Sequence, residues 1–437
     1  MKIKKIKVSN FKSFESEEIT FDDFNVIIGP NASGKSNFVE IFRFIKDVSR
    51  YGLENAVSMQ GGIEFLKNLT IDKKEIEFEL QFYNASGDVM DNKILEMRDI
   101  LYKFKICFDD IEGQGYKISN EELVKTGAVF DIASTNAEEF LRKRAKMTVE
   151  EREQDCENSK KVEFRLKNEN GEILVENSAE QYISSEEICP LLAMKKLIEK
   201  SNVPQNIQKN ISIFPPNKLF LESAHIWKNL SELELENIAI YDFDPKLPKK
   251  AVPITGKTEL EQDGSNLAIV LKQIFKNGGK DKLQGFIKDL LPAIGDIDVD
   301  KSTDKRMFFN ICENQCSEKI PSCFISDGTI NIISTIIALF FENNHIVIIE
   351  EPERNLHPKL MSKLAELLKD ASKRKQIIIT THNPELVKYA GLDSLIFISR
   401  NESGHSQFSR PSDSEFLKLL LKEIGLDKAY IENLIKN

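Results

Sequence analysis

The sequence lacks the features of a membrane or secreted protein. Its 437 residues contain no uncharged apolar run of about 18 residues, the length of a membrane-spanning helix. The longest apolar stretch, Ile330 to Phe341, is interrupted by Asn331, Ser334 and Thr335 and is typical of a buried helix. The basic start MKIKKIKVSNF has no continuous apolar segment after it, as a signal peptide requires. We therefore expect a cytoplasmic protein with no membrane partner.

Cysteine is also scarce, and the six cysteines are too few for a disulfide framework. Their one cluster, Cys312, Cys316 and Cys323, lacks the paired spacing and the fourth ligand of a zinc site. The chain shows no sustained heptads either, so we do not expect a long coiled-coil arm.

An excess of positive charge is missing as well. The formal net charge is −10, so the surface as a whole is not a nucleic-acid footprint. Local basic clusters at 2–7, 142–146 and 373–375 fit solvated strand edges or helix faces, and alternatively patches that contact phosphate. DNA binding thus stays open. The remaining composition, 41% hydrophobic and 30% charged, is that of ordinary globular domains.

Hydrophobic patterning divides the chain into three predicted segments. Residues 1–125 begin with strands, and the strand Phe24 to Ile28 runs into Gly29 and then into an amphipathic helix. Residues 126–255, rich in Glu and Lys, predict a mainly helical insertion with a short strand pair near 162–166 and 173–175. Residues 256–437 predict alternating helices and strands, which favours a mostly parallel sheet covered by helices.

A phosphate-binding loop is predicted directly after the strand that ends at Ile28. Two glycines separated by four residues and followed by Lys and Ser form the P-loop pattern. The glycines let backbone amides point at phosphate oxygens, Lys35 supplies a cation for them, and the Ser36 hydroxyl suits Mg²⁺. We therefore predict ATP and Mg²⁺ as cofactors. The predicted nucleotide-binding residues are Gly29, Pro30, Asn31, Ala32, Ser33, Gly34, Lys35, Ser36 and Asn37.

Two later strands are predicted to end in polar residues that can act on phosphate. Glu350 and Glu351 follow the apolar run Ile346 to Ile349, and His382 follows the run from Gln376 to Thr380. Ligands of open α/β sheets lie at the carboxyl ends of the strands. One carboxylate can hold Mg²⁺ through water while its neighbour polarises the attacking water, and an imidazole can bond a γ-phosphate.

A third motif opens the apolar helix that runs into Phe341. Ser326 is suited to cap that helix, and Asp327 favours its positive end. The same exposed start, with Gly328 next in sequence, also suits phosphate binding. Both interpretations hold together.

As a set, these motifs resemble the ABC-type ATPase heads of the RecF, SMC and OLD-like group. Lys35 and Ser36 end the Walker A motif, and the stretch 325–329 is similar to the signature motif. Glu350 and Glu351 match the Walker B pair, the stretch 354–357 matches the D-loop, and His382 matches the H-loop. The resemblance implies an α/β fold, a P-loop ABC-ATPase head with a mixed sheet flanked by helices.

The resemblance also implies roles for these residues. Two copies would dimerise face to face, or form a higher oligomer, with each ATP held between one Walker A motif and the partner copy's signature Ser326, Asp327 and Gly328. Glu351 would be the general base and Glu350 would hold Mg²⁺. Further residues are implied: Asn355 and His357 in the D-loop, Lys12 and Ser13 near the nucleotide, and Gln60 as a residue that binds the metal ion or, alternatively, lies in a surface loop.

Several functions remain open at this point. The resemblance favours a slowly hydrolysing ATPase that controls an effector protein in anti-phage defence or DNA maintenance. An ATPase subunit that works with a separate nuclease on DNA, and an ATP-binding scaffold with negligible turnover, are the alternatives. A nuclease domain within the chain is not expected, because only 55 residues follow His382.

Overall fold

The structure is a computed structural model, and the chain packs into two compact units. The first comprises Met1–Phe21 and Arg43–Glu236, and the second comprises Asp22–Phe42 and Asn237–Asn437. The residues that the structure describes are 1–90, 93–109, 115–131, 137–147, 151–152, 155, 159–169, 172–178, 180–181, 218–223, 235–254, 257–302, 304–316 and 318–411.

The regular elements of the described residues are numbered in chain order. The strands are β1 (Lys2–Phe11), β2 (Phe14–Thr20), β3 (Phe24–Ile28), β4 (Glu75–Met90), β5 (Lys93–Asp109), β6 (Gly115–Asp131), β7 (Lys160–Glu169), β8 (Glu172–Asn177), β9 (Ile238–Tyr241), β10 (Val252–Pro253), β11 (Ile294–Lys301), β12 (Arg306–Glu313), β13 (Ile320–Pro321), β14 (Ile346–Glu350), β15 (Gln376–Thr381), β16 (Leu395–Arg400) and β17 (Ser406–Ser409). The α-helices are α1 (Lys35–Tyr51), α2 (Leu53–Met59), α3 (Ile63–Leu66), α4 (Ala137–Ala145), α5 (Leu267–Lys276), α6 (Lys280–Leu290), α7 (Asp327–Phe340), α8 (Met361–Ser372) and α9 (Pro384–Ala390).

The first unit is built on antiparallel strands in the order β8-β7-β6-β5-β4-β1-β2. Alternation of apolar and polar residues along these strands buries one face, as expected for antiparallel sheets. Its core includes an aromatic cluster in which Phe78 stacks on Phe44 and Phe104 at centroid distances of 5.5 and 4.9 Å. Phe11 meets Phe78 edge-on at 5.3 Å.

The described part of the predicted helical insertion, 126–255, contains more strand than expected. The boundary at 125 falls inside β6, which pairs with β5 on one side and with β7 on the other. The boundary at 125 does not hold because β6 runs on to Asp131, whereas the strand pair expected near 162–166 and 173–175 is present as β7 and β8. The sequence also predicts a helix at 188–201 and two short helices in the last twenty-five residues, and both stretches lie outside the described residues.

The second unit is built on a mostly parallel sheet in the order β17-β16-β3-β15-β14-β9. β3 pairs in parallel with β15 and β16, and β14 pairs in parallel with β15 and β9, while β17 is antiparallel to β16. β3 and β15 are completely buried, β14 is buried except for Glu350, and their apolar runs suit a sheet covered on both faces. The predicted α/β fold is confirmed.

Helices and a small second sheet cover this parallel sheet. α7, the apolar helix predicted from the sequence, contributes Ile330, Ile333 and Ile337 to the core, and each is fully buried. β11, β12, β10 and β13 form the smaller antiparallel sheet. Among the described residues no helix combines the length and apolarity needed to cross a membrane.

Candidate active site

The predicted P-loop lies between β3 and α1 in the second unit. Gly29 has no room for a side chain, since an added Cβ would lie 2.3 Å from the carbonyl oxygen of Ile398. The loop then turns through left-handed backbone at Ala32 (φ 62°) and Gly34 (φ 116°). α1 begins at Lys35, so the amides of its first turn have no acceptor within the helix and face the loop's end.

The hairpin of β16 and β17 braces the loop from outside. The Arg400 guanidinium donates from Nε to the carbonyl of Ala32 at 3.0 Å, and the Ser406 hydroxyl donates to the carbonyl of Ser33 at 2.6 Å. Neither residue was predicted, because each lies more than 360 residues away along the chain. In the sequence, the sign of such a role is the basic residue Arg400 at the end of the apolar strand β16.

Lys35 bends back over the loop. Its ammonium donates to the carbonyl oxygens of Gly29 at 2.7 Å and Pro30 at 2.9 Å. Burial lowers the pKa of Lys35, while the negative charges of Glu351 and Glu353 act in the opposite direction. The cation and these two carboxylates therefore share one electrostatic environment.

Parallel pairing brings the other predicted strand ends to the P-loop's edge of the sheet. Glu350 of β14 pairs with Thr380 of β15, and Thr381 of β15 pairs with Ile28 of β3. The chain leaves β14 at Glu351, whose backbone is left-handed (φ 45°) and whose amide donates to the carbonyl of Thr380 at 2.9 Å. The expected meeting of P-loop, glutamates and His382 at this edge is what the strand registers produce.

Glu351 has partners on both carboxylate oxygens. Its Oε1 lies 2.8 Å from Nδ1 of His382, and its Oε2 lies 3.3 Å from the guanidinium of Arg354, which also binds Asp242 at 3.0 Å. Burial acts to raise the pKa of Glu351, but the hydrogen bond and charge of His382 and the Arg354 guanidinium outweigh it, so the pKa lies below its ordinary value. Glu351 is thus held ionised.

The predicted signature residues lie at the exposed start of α7. Ser326 caps the helix by accepting from the Thr329 amide at 3.2 Å, which confirms the capping prediction. Asp327 forms an ion pair with Lys249 at 2.5 Å. An added Cβ on Gly328 would lie 2.5 Å from the carbonyl oxygen of Asn355, so only glycine lets the helix start approach the D-loop this closely.

The predicted D-loop is a short turn after β14. Asn355 occupies left-handed backbone at φ 64°. His357 ends the turn by capping a 3₁₀ helix: its Nδ1 accepts from the Lys359 amide at 3.2 Å. The described contacts of His357 are therefore those of a helix cap.

Glu353 lies at the candidate site and was not predicted, and Arg354 was predicted only as the first residue of the D-loop stretch 354–357. Glu353 is 5% exposed, and its Oε1 accepts a hydrogen bond from the Thr381 hydroxyl at 2.5 Å. Its Oε2 is buried and has no hydrogen-bond partner among the described residues. Their sequence signal is that two charged residues follow soon after the buried strand β14.

Three further predicted residues belong to the first unit. Lys12 lies in the turn between β1 and β2 in left-handed backbone (φ 48°), and Ser13 beside it is buried. Gln60 follows the C-terminus of α2. Their roles with nucleotide or metal stay predictions.

Comparison with known proteins shows which family the chain belongs to. Residues 1–387 match the family described as AAA ATPase domain. The chain belongs to that family. It is an ATPase of the P-loop NTPase class, and the resemblance to the heads of the RecF, SMC and OLD-like group is confirmed.

Two relatives match shorter stretches. Endonuclease GajA of Bacillus cereus (strain VD045) is 31% identical over 99 residues, which are 22% of this chain and 16% of GajA. Structural maintenance of chromosomes protein 1 of Arabidopsis thaliana is 27% identical over 158 residues, 32% of this chain and 12% of that protein. The matches thus span less than a fifth of either relative.

Solved structures of SMC heads align over most of the chain. The Pyrococcus furiosus SMC head with an extended coiled coil, bound to the C-terminal domain of ScpA, aligns at a TM-score of 0.46 and 15% identity over 97% of this chain and 99% of that one. The SMC head domain of Thermotoga maritima aligns at 0.39 and 14% over 94% and 99%.

Proposed function

We propose that the chain is an ATP-gated switch of the ABC type. It binds ATP with Mg²⁺, dimerises through the nucleotide, hydrolyses ATP slowly and controls a partner protein in the cytoplasm. The observation that carries this proposal is the contact of 2.8 Å between Nδ1 of His382 and Oε1 of Glu351, at the sheet edge where the P-loop begins. That contact joins a base to an imidazole beside a phosphate-binding loop.

The P-loop binds the phosphates of ATP in the proposed mechanism. The first-turn amides of α1 and the Lys35 ammonium bind the phosphates, and Lys35 exchanges the carbonyls of Gly29 and Pro30 for phosphate oxygens. The exposed Ser36 hydroxyl and the half-buried Glu350 carboxylate are hard oxygen donors that fit Mg²⁺, which keeps most of its ligands as water and phosphate. When bound, the ion neutralises charge on the phosphates.

Glu351 acts as the general base in the proposed chemical step. It takes a proton from a water molecule as the water oxygen bonds to the γ-phosphorus and the bond to the ADP oxygen breaks. His382 and Arg354 each engage one carboxylate oxygen in this structure, and the second lone pair of each oxygen can accept a hydrogen bond from the water. His382, 53% exposed on its side chain, can contact the γ-phosphate.

A second copy would complete the site. Ser326 is exposed, and Asp327 and Gly328 beside it are half-exposed at the start of α7, where they are accessible to a partner copy's nucleotide. The helix start presents positive partial charge to an anion. Nucleotide binding would thus be linked to the dimer state.

The Glu351→Gln protein tests this proposal. The amide cannot accept the proton, so ATP should stay bound and the dimer should accumulate, with turnover reduced about 100-fold or more. Light scattering with ATP, ADP and no nucleotide measures the mass. The Lys35→Ala protein is the control and should stay monomeric because phosphate binding is lost. A Glu351→Gln protein that stays monomeric with ATP and hydrolyses at the normal rate would contradict the mechanism.

The partner is proposed from the relatives. The matches to Endonuclease GajA and to an SMC protein support a role in anti-phage defence or DNA maintenance, with an effector that is a separate protein. The match to a nuclease favours one further candidate, an ATPase subunit that works with a separate nuclease on DNA. Purification of the Glu351→Gln protein from its native cells, followed by identification of bound protein and nucleic acid, separates the two. Co-purifying nuclease and DNA support the second candidate, and an effector without DNA supports the first.

A further inference from the structure

The turn Glu351–Leu356 is held from one side by a buried amide of α7. Asn331 is 2% exposed, and its Nδ2 donates to the carbonyl oxygens of Pro352 at 3.3 Å and Arg354 at 2.8 Å. Both carbonyls belong to residues that immediately surround Glu353. Since α7 begins at the signature motif, this amide ties the turn to the helix that presents Ser326.

The turn is held from the other side through Glu353. Its Oε1 accepts from the Thr381 hydroxyl at 2.5 Å, and the same hydroxyl oxygen accepts from the Asn383 amide at 2.9 Å. Thr381 and Asn383 are the two neighbours of His382 in the chain. One carboxylate therefore fixes the backbone on both sides of the imidazole that contacts Glu351.

The turn needs such support because its backbone is strained. Glu351 and Asn355 occupy left-handed backbone at φ 45° and 64°, a region that residues with side chains rarely adopt. Such conformations persist where surrounding contacts impose them. Burial raises the pKa of Glu353, which accords with a carboxyl that serves its neighbours by hydrogen bonding.

We propose that Glu353 and Asn331 are positioning residues. Together they hold the turn Glu351–Leu356 between α7 and the end of β15. This fixes the position of the Glu351–His382 pair relative to the signature motif. This inference rests on the proposed function for its kinetic consequence. Neither residue touches substrate in the proposed mechanism. They act through Glu351 and His382.

The test uses paired variants of the full chain. Glu353→Ala and Thr381→Val each remove the hydrogen bond, while Glu353→Gln and Thr381→Ser keep an acceptor and a hydroxyl in place. We expect the first pair to lower kcat about tenfold with KM for ATP unchanged within twofold, and the second pair to keep at least a third of the wild-type kcat. The double variant of Glu353→Ala and Thr381→Val should be no slower than Thr381→Val alone, because that change already removes the contact with Glu353 as well as the acceptor of the Asn383 amide.

Asn331→Leu tests the other side of the turn. Leucine has nearly the same size but no donor, so we expect a similar loss of kcat. Thr335→Val is the matched control on the same helix: Thr335 is 0% exposed, and its hydroxyl has no hydrogen-bond partner among the described residues. Its kcat should stay within twofold of the wild type. Equal losses in Asn331→Leu and Thr335→Val would overturn the role given to Asn331.

A second readout is independent of turnover. Histidine-selective ¹⁵N labelling gives signals from five imidazoles, and the His382→Ala protein identifies that of His382. The His382 signal should shift in Glu353→Ala and Thr381→Val without ATP and return in the conservative variants. If the wild type hydrolyses no ATP, the proposed function fails while this shift still supports the positioning role. An unshifted His382 signal, or a Glu353→Gln protein as slow as Glu353→Ala, overturns it.

Discussion

Two buried glutamates, Glu121 in the first unit and Glu353 in the second, are satisfied differently. Glu121 of β6 is 0% exposed, and its Oε1 accepts from the Tyr102 hydroxyl and the Phe220 amide, both at 2.5 Å, while its Oε2 accepts from Asn168 at 3.5 Å. Glu353, 5% exposed, has one partner, and its second oxygen has none among the described residues.

The difference is what we expect between a residue that serves the fold and the positioning residue proposed for the site. Buried polar groups are costly unless hydrogen-bonded, so a carboxyl with partners on both oxygens serves the sheet that surrounds it. A carboxyl left half satisfied is tolerated where the structure serves a reaction. Glu353 lies directly behind Glu351, whereas Glu121 lies within an antiparallel sheet far along the chain from any motif.

The largest expected effect belongs to the second unit. His382→Ala should lower kcat about 100-fold, because the imidazole partner of Glu351 is lost, yet leave the melting temperature unchanged, because the side chain is 53% exposed. Steady-state ATPase assays and thermal unfolding measure both. His345→Ala is the control, an exposed histidine before the opposite end of β14, and should keep the normal rate. A His382→Ala protein with the normal rate would show that this part of the second unit does not serve the reaction.

The next effect belongs to the first unit. Glu121→Ala should lower the free energy of unfolding by about 2 to 3 kcal/mol, because it leaves the Tyr102 hydroxyl and the Phe220 amide buried without an acceptor. Urea unfolding measures the change. The neighbouring Glu122→Ala is the control: its carboxylate pairs with Arg165 near the surface, and its loss should cost under about 1 kcal/mol. Similar losses in both variants would show that Glu121 has no special place in the fold.

The same carboxyl predicts a pH dependence. Burial raises the pKa of Glu121 to about 8, against the hydrogen bonds that it accepts. Below the ordinary pKa both folded and unfolded chains bind the proton. As the pH rises toward 8 only the unfolded chain releases it, so stability falls, at most by about 1.4 kcal/mol per pH unit. Glu121→Gln should lack this fall, and the difference between wild type and variant across pH 5–8 isolates it. A constant difference would contradict the prediction.

The smallest effects compare two glycines of the second unit. Gly328→Ala should cost about 1 to 3 kcal/mol, because its Cβ would lie 2.5 Å from the Asn355 carbonyl oxygen and force the helix start from the D-loop. Gly285→Ala, inside α6 with open space around it, should stabilise by about 0.5 to 1 kcal/mol. Thermal unfolding of both proteins is the measurement, and equal shifts would show that the approach of Gly328 to the D-loop is unimportant.

Sequence reasoning was most successful where the pattern was local. The apolar run before Gly29, the runs before Glu350 and Thr381, and the cap at Ser326 all follow from short-range periodicity and helix chemistry. It was wrong at the boundary of 125, which lies within β6, because pairing between distant strands decides where an antiparallel sheet ends.

The sequence by itself determined that this chain carries a P-loop, two paired carboxylates and a histidine, each behind an apolar strand, because the chemistry of phosphate binding requires those residue types at those spacings. Only the tertiary structure decided that Arg354 and His382 share Glu351, that Arg400 and Ser406 brace the P-loop, and that Glu353 holds the neighbours of His382. Apart from the pair Glu351–Arg354, whose members are three residues apart, these contacts join residues brought together by parallel strand registers and buried turns, and no local pattern encodes them.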